Sequence, residues 1–198
     1  MPTLYIITGP AGVGKSTISK KIAESLSKSV LIEGDDIYNQ VVGGYVSPWK
    51  EGNHLEIFWQ VSMDIIKDYL EAGYDVVFNY IISPSNLSIL NQTFKDYDKR
   101  FVVLLVDEET LLRRDALRPE DCQMKERCIV LLNNFKKHNY DEKFIIDTSK
   151  TSIEESASIA INDERFVLWL KCYLFAMAIF VALPWRSLYL RIWFHKKV

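Results

Sequence analysis

The chain alternates short apolar runs with longer segments in which apolar residues recur every three or four positions. Predominantly apolar runs stand at residues 4–7, 30–33, 74–82, 101–106 and 144–147. Strands that are apolar on both faces are typical of a parallel sheet covered by helices on its two sides. Right-handed crossovers restrict the topology, so the pattern predicts an α/β fold with a doubly wound, five-stranded parallel sheet.

Helical spacing separates these runs. The clearest amphipathic segment extends from Ile57 to Tyr69 and closes near Gly73. Further helices are predicted over residues 18–26, 84–94 and 111–117, and from near Glu120 to Phe135. The segment Thr151-Ser152-Ile153-Glu154 has capping-box spacing and predicts the start of a last core helix.

The segment directly after the first apolar run, GPAGVGKST, matches GxxxxGK[ST], the phosphate-binding loop of nucleotide-handling proteins. Its glycines let backbone N–H groups turn towards phosphate oxygens, and the following helix adds the positive end of its dipole. The loop predicts binding of ATP with Mg²⁺, in which Lys15 reaches the β- and γ-phosphates and Ser16 ligates the metal. The predicted nucleotide-binding residues of the loop are Gly9, Pro10, Ala11, Gly12, Val13, Gly14, Lys15, Ser16 and Thr17.

An acidic pair closes the second run, at what we expect to be the strand beside that of the phosphate loop. Asp35 and Asp36 would then lie at the carboxyl edge of the sheet, where ligands of such folds bind. A carboxylate there can accept the proton of an acceptor hydroxyl during phosphoryl transfer, although only one of the pair can face the cleft. The alternative is an N-cap or turn aspartate after Gly34.

Two arginines lie four residues apart on a predicted helix. Arg114 and Arg118 would therefore share one face of that helix. From there they would clamp phosphate oxygens around the transferring group, as catalytic residues. The alternative is a solvated charged face that they share with Glu108 and Asp115.

Three segments together resemble the small P-loop kinases: GPAGVGKST, the GDDIY after the second run, and LLRRDALRPEDCQMKER. This group includes polynucleotide 5′-kinase domains, chloramphenicol phosphotransferase-like, shikimate kinase-like and gluconate kinase-like enzymes, and the zeta toxins. The similarity spans residues 3–163. It implies an ATP-dependent phosphotransferase that moves the γ-phosphate to a hydroxyl of a small molecule or nucleotide. The alternative is a P-loop ATPase that acts as a toxin-like or regulatory protein without a diffusible acceptor.

The resemblance also assigns individual positions. In phage polynucleotide kinase the first member of an adjacent Asp pair acts as the base, which points to Asp35 and leaves Asp36 as a candidate Mg²⁺ ligand. Residues after the fifth strand pack against adenine in such kinases, which implies Thr148 to Lys150 here. Asn79 stands where a Walker B aspartate would end the third strand. That favours a kinase with a sparse Mg²⁺ site over a mechanical ATPase.

The acceptor site is expected around Tyr38, Tyr45 and Trp49, where this class of kinase binds its acceptor. An aromatic ring there can stack on a base or on an aromatic compound. Tyr38 replaces an arginine of the polynucleotide kinase motif, which argues against a phosphorylated acceptor. The alternative is that this loop packs its aromatic side chains against the edge of the sheet.

Charge is distributed unevenly along the chain, whose formal net charge is −2. Residues 166–198 carry five basic and no acidic residues, whereas residues 1–165 carry 19 basic against 26 acidic residues. The excess of acidic residues in residues 1–165 argues against general nucleic-acid binding. The three cysteines form no CxxC pair and no basic segment precedes the first apolar run, so we expect a cytoplasmic protein with reduced thiols.

The basic tail is also strongly apolar. From Phe166 to Trp185 its one charged residue is Lys171, and about twenty apolar residues suffice to cross a bilayer. Crossing would send the basic end away from the cytosol, against the positive-inside bias, so a hairpin-like or in-plane membrane association fits better. We therefore expect a P-loop kinase domain at residues 1–165 and an appended hydrophobic helix, in contact with a membrane, at residues 166–198. The alternative is a helix packed on the core or against another subunit.

Overall fold

Five strands form one parallel sheet in the computed structural model, which describes residues 1–120 and 123–168. The strands are β1 (Thr3–Thr8), β2 (Ser29–Glu33), β3 (Asp75–Asn79), β4 (Asp98–Leu105) and β5 (Ile145–Asp147). Their order is β2-β3-β1-β4-β5, and each neighbouring pair is parallel. The predicted α/β fold is confirmed. The appended tail helix falls almost wholly on residues outside the described ranges.

Helices connect the strands and cover both faces of the sheet. They are α1 (Lys15–Ser25), α2 (Gly34–Tyr38), α3 (Leu55–Glu71), α4 (Pro84–Thr93), α5 (Glu108–Ala116), α6 (Glu126–Lys136) and α7 (Ile153–Asn162). Within residues 1–120 and 123–168, none of the helices combines the length and the apolar character needed to cross a bilayer.

Each strand sends alternate side chains to two separate core layers, as strand geometry requires. In β1, Leu4 and Ile6 belong to one layer, whereas Tyr5 and Ile7 belong to the other. Side chains of α3 and α4 complete the first layer, and side chains of α1, α5 and α7 complete the second. Because both faces are covered, the strands are almost continuously apolar, which is the pattern that the sequence displays.

The strand order differs from our expectation at one place. The second strand was expected beside the phosphate-loop strand, but β3 lies between β2 and β1 and pairs with both. The acidic pair therefore starts one strand further from the loop. Helix α2 begins directly at the end of β2 and contains the acidic pair in its first turn.

Two element boundaries also differ from the predicted ones. The third apolar run was expected to be a strand up to Ile82, but β3 ends at Asn79. Beyond it, the backbone turns over the end of β1: the Tyr80 N–H donates to the Ile7 carbonyl, and the Ile82 N–H donates to Thr8 Oγ1. The sixth helix was expected near Glu120 and begins at Glu126.

The capping box of α7 is shifted by one residue from its predicted position. Ser152 is the N-cap, and its hydroxyl accepts from the Glu155 N–H while Glu155 accepts from the Ser152 N–H. The Thr151 hydroxyl instead lies 2.7 Å from Ser156 Oγ. Ser and Thr have similar N-cap preferences, so the sequence alone did not decide between the two registers.

Candidate functional site

The phosphate loop joins β1 to α1 in a backbone conformation that requires glycine. Gly12 and Gly14 have φ angles of 82° and 102°, in the left-handed region that L side chains rarely adopt. Val13, between them, is fully buried and anchors the loop in the core. The strand, loop and helix thus stand in the context that the sequence motif requires.

A cavity of about 620 Å³ opens above this loop. It is lined by the loop and the start of α1, by residues at or after the ends of α5 and β5, and by the start of α7. Its lining residues are Ala11, Gly12, Val13, Gly14, Lys15, Ser16, Thr17, Ile18, Asp35, Ile81, Arg114, Arg118, Met124, Thr148, Thr151, Ser152, Ile153 and Ser156. This volume lies within the range of small-molecule sites.

Lys15 is a half-buried cation that lines the cavity. Its Nζ donates to the Pro10 carbonyl at 3.1 Å, so one residue of the loop holds another in place. Burial lowers the pKa of Lys15 to about 8, while the nearby carboxylates of Asp35 and Glu33 oppose that shift. A desolvated ammonium of this kind gains most from an anionic ligand, such as a phosphate group.

A hydrogen-bonded group that the sequence analysis missed lies beside Lys15. The Ser16 hydroxyl donates to Glu33 Oε2 at 3.1 Å, and the Asn79 amide donates to the same oxygen at 2.5 Å. Burial, with smaller contributions from Asp36 and Asp35, raises the pKa of Glu33. The sequence did offer a signal for this group, because Glu33 is a carboxylate at the end of an apolar run and so lies at the same sheet edge as the phosphate loop. The hydrogen bond from Asn79 to Glu33 connects the ends of the neighbouring strands β3 and β2.

Oxygen ligands suited to Mg²⁺ are present at this point. Mg²⁺ binds through one or two protein oxygens together with phosphates and water, and Ser16 Oγ and the Glu33 carboxylate supply such oxygens side by side. Within the described part of the chain, no cluster of three or more His, Cys, Asp or Glu side chains could hold a metal alone. Asp36, the predicted candidate ligand, is exposed and stands outside the cavity lining.

Asp35 and Asp36 belong to the first helical turn of α2 and not to a non-helical turn after Gly34. Asp35 lines the cavity and Asp36 does not. The helix can start here because Gly34 has no side chain: a Cβ at Gly34 would stand 2.5 Å from the ring of Tyr80. Asp35, the next residue, lines the cavity together with the phosphate loop.

Arg114 ties the phosphate loop to the segment after β5. Its guanidinium donates to the Val13 carbonyl at 3.1 Å, to Thr148 Oγ1 at 2.9 Å and to the Thr148 carbonyl at 2.8 Å. Arg114 and Thr148 both line the cavity, as the predicted phosphate clamp and nucleotide contact would. Arg118 lines it too, although α5 ends at Ala116, so the two arginines do not share one helix as predicted.

Asp115 supports the wall that carries Arg118 and was predicted only as part of a solvated face. It is 2% exposed, and its carboxylate accepts from the N–H groups of Met124 and Lys125 at 2.7–3.1 Å. The Arg118 guanidinium lies 3.6 Å from Asp115 Oδ1. Lys125 has a φ of 50°, an uncommon conformation that these hydrogen bonds hold at the start of α6. Asp115 thus fixes two cavity-lining residues, Arg118 and Met124, from behind.

The aromatic side chains of the expected acceptor region divide into buried and exposed ones. Tyr38 is 2% exposed, stacks on His54 at a centroid distance of 4.0 Å and donates its hydroxyl to the Val46 carbonyl. It therefore holds the loop after α2 against the core and does not line the cavity. Trp49 is 68% exposed and lies under the Arg127 guanidinium, 4.9 Å from the ring centroid. The alternative of aromatic packing thus describes Tyr38 but not Trp49.

Comparison with known proteins agrees with this fold and loop. A protein-family model described as an AAA domain matches residues 4–129. A sugar kinase from a Janibacter species has a similar structure, with a TM-score of 0.62 and 14% identity over 81% of this chain and 93% of that chain. A gluconokinase from Sinorhizobium meliloti has a TM-score of 0.59 and 19% identity over 92% and 98% of the two chains.

A third similar structure is the tunicamycin resistance protein of Deinococcus radiodurans. Its TM-score is 0.58, with 20% identity over 80% of this chain and 92% of that chain. At such identities the likeness shows the fold, which is that of the small P-loop kinases. The predicted resemblance is confirmed at that level.

Proposed function

Because this chain belongs to the AAA domain family and folds as a small P-loop kinase, we propose that it is an ATP-dependent phosphotransferase. In this proposal the γ-phosphate passes to a hydroxyl of a small molecule or nucleotide. The observation that carries it is the position of Asp35, which lines one cavity together with Lys15 and Ser16 of the phosphate loop. A carboxylate so placed serves hydroxyl activation, which nucleotide binding alone does not require.

Each residue would act through its charge or its hydrogen bonds. Lys15 neutralises the β- and γ-phosphates, and Asp35 accepts the proton of the attacking hydroxyl. Arg118 stabilises the charge that spreads over the transferring group. Arg114 holds the phosphate loop against the Thr148 segment through its three hydrogen bonds, and so shapes the nucleotide side of the cavity.

Mg²⁺ would be held by Ser16 and the neighbouring Glu33 carboxylate, whose oxygens are the hard ligands that this ion prefers. When bound with the nucleotide, it supplies positive charge to the phosphates. Asn79 donates to Glu33 and fixes the direction of its carboxylate. Such support of a ligand is typical of metal sites.

Neighbouring carboxylates provide a matched test of the proposal. We expect Asp35→Asn to lower phosphoryl transfer to a hydroxyl by about 10²-fold or more, because the amide keeps the shape but cannot accept a proton. Asp36→Asn, next in the chain and outside the cavity lining, should stay within about threefold of wild type. ATP binding should be nearly unchanged in both variants. The measurement is ADP formation with a panel of nucleosides, sugars and aminocyclitol or chloramphenicol-type compounds.

The outcomes separate the kinase from the alternative function. If Asp36→Asn is the inactive variant, the role of base moves to Asp36. If no acceptor stimulates ADP formation although ATP binds, the kinase proposal fails. A toxin-like or regulatory P-loop ATPase without a diffusible acceptor then takes its place.

A further inference from the structure

The acceptor side of the cavity carries no net charge in its described lining. Beyond the phosphate loop and the nucleotide side, its described lining consists of Asp35, Ile81, Arg118 and Met124. One side chain of this set is acidic, one is basic and two are apolar. We propose that the acceptor is an uncharged alcohol with an apolar or aromatic face, an inference that rests on the kinase function proposed above.

In the proposed function, the cations that line the cavity in the described residues all serve the nucleotide or the transferring phosphate. They are Lys15, Arg114 and Arg118. Lys15 stands in the phosphate loop, and Arg114 already donates to Val13 and Thr148. Arg118 lies beside the buried carboxylate of Asp115 and is the one cation left for the transferring phosphate. A carboxylate or phosphate on the acceptor would compete with ATP for these same groups.

A carboxylate lies at the expected position of the acceptor hydroxyl. Asp35 lines the cavity together with Lys15 and Ser16 of the phosphate loop. An anionic acceptor would approach this carboxylate and be repelled, whereas an uncharged alcohol would not.

Apolar groups face the same space. Ile81 is 46% exposed and lines the cavity, although its neighbours Tyr80 and Ile82 are buried. Met124 also lines the cavity, and its carbonyl accepts from the Arg127 N–H. The Arg127 guanidinium lies over the ring of Trp49, which is an exposed aromatic side chain. Flat or apolar faces of an acceptor would pack on such groups.

Matched pairs of acceptors that differ only in charge test this inference. We would compare methyl shikimate with shikimate, gluconamide with gluconate, and uridine with uridine 3′-phosphate, by kcat/KM for ADP formation and by mass spectrometry of the product. The uncharged member of a pair should be used at least about tenfold better. Ile81→Arg adds a cation to the acceptor side and should shift the preference towards the anionic members, whereas Ile81→Gln should not.

Each outcome bears on one of the two proposals. Preference for the anionic members would overturn the uncharged acceptor while the kinase function stands. If neither member of any pair is phosphorylated although ATP binds, the kinase function is rejected and this inference with it. An unchanged preference in Ile81→Arg would show that charge on this wall does not select the acceptor.

Discussion

At the scale of single residues, the ionisation of Lys15 controls the charge of the phosphate loop. Desolvation lowers its pKa to about 8, so in the free protein half of the Lys15 side chains have lost their proton at that pH and most have lost it above. Bound phosphates favour the charged form and raise this pKa, which means that binding above about pH 8 takes up a proton. We expect the Kd for ATP to rise by about tenfold per pH unit above pH 8. Titration with a fluorescent ATP analogue between about pH 7.5 and 9.5 measures this dependence.

The control for this prediction keeps the positive charge at every pH. Lys15→Arg carries a guanidinium, which stays protonated throughout the range, so its weaker binding should not vary with pH. Calorimetry in two buffers of different ionisation enthalpy should also show proton uptake by the wild type alone. A wild-type Kd that is flat across the range would contradict the assigned ionisation.

Asp115 acts on the site through another residue, which makes it a positioning residue. Asp115→Asn replaces a carboxylate that accepts two N–H groups and faces Arg118, so we expect loss of both stability and turnover. In an Arg118→Gln background, Asp115→Asn should still lower the unfolding temperature. The first substitution leaves the hydrogen bonds from Met124 and Lys125 to Asp115 in place, so the second one still weakens them. Its effect on ATP turnover should disappear there. An equal loss of turnover in both backgrounds would show that Asp115 does not act through Arg118.

At the scale of elements, the position of α2 depends on Gly34. A Cβ at this residue would stand 2.5 Å from Tyr80 Cδ2, so Gly34→Ala must displace either the helix or the ring. We expect a cost of about 1–3 kcal/mol in the free energy of unfolding, as in other overpacked sites, and a loss of turnover because Asp35 moves with the helix. Urea unfolding and ATP turnover measure the two effects.

Gly43 supplies the matched control in the loop that follows. A Cβ there meets no atom within 4 Å, and its φ is not positive, so Gly43→Ala should change stability by less than about 0.5 kcal/mol. Equal stability and activity of the two alanine variants would mean that α2 is not held by its contact with Tyr80.

The elements that could be predicted from the sequence are those that local patterns determine. Continuous apolar runs indicated the strands because both sheet faces are covered, and the glycine spacing of the phosphate loop indicated its place between β1 and α1. The short α2 was missed because Gly34-Asp35-Asp36 is also typical of a turn. Its helical course depends on the contact with Tyr80, far away in sequence.

The rest of the site depends on contacts between distant parts of the chain. Glu33 and Asn79 stand 46 positions apart, and their bond follows from the strand order, which put β3 beside β2. The start of α6 depends on Asp115, which binds the N–H groups of Met124 and Lys125 across a loop. Neither contact leaves a periodic pattern in the sequence. Local periodicity therefore predicted the elements, and tertiary hydrogen bonds determined their ends.

At the scale of the whole molecule, the described body continues slightly past the predicted boundary at Arg165. Phe166 is fully buried in a core layer, Val167 forms a bridge with Arg100, and the Leu168 N–H donates to the Lys99 carbonyl at 2.9 Å. Met1–Leu168 accordingly form one unit. A truncation that tests the tail should therefore end at Leu168, so that these contacts are kept.

The remaining 30 residues, 169–198, carry all five basic residues of the apolar tail and no acid. We propose that they attach the protein to a membrane, because apolar and basic residues together bind the interface of anionic lipids. Full-length protein should sediment with vesicles containing anionic lipid and resist high-salt and carbonate washes, whereas protein ending at Leu168 should stay in the supernatant. The truncated form should keep its affinity for ATP and its unfolding temperature, since its cavity and core lie within Met1–Leu168.

If both forms stay in the supernatant, the membrane proposal is wrong and the tail packs on the body or on another subunit. Release by salt alone would instead indicate an electrostatic contact without insertion of the apolar residues, because screening weakens charge interactions but leaves buried apolar surface in place.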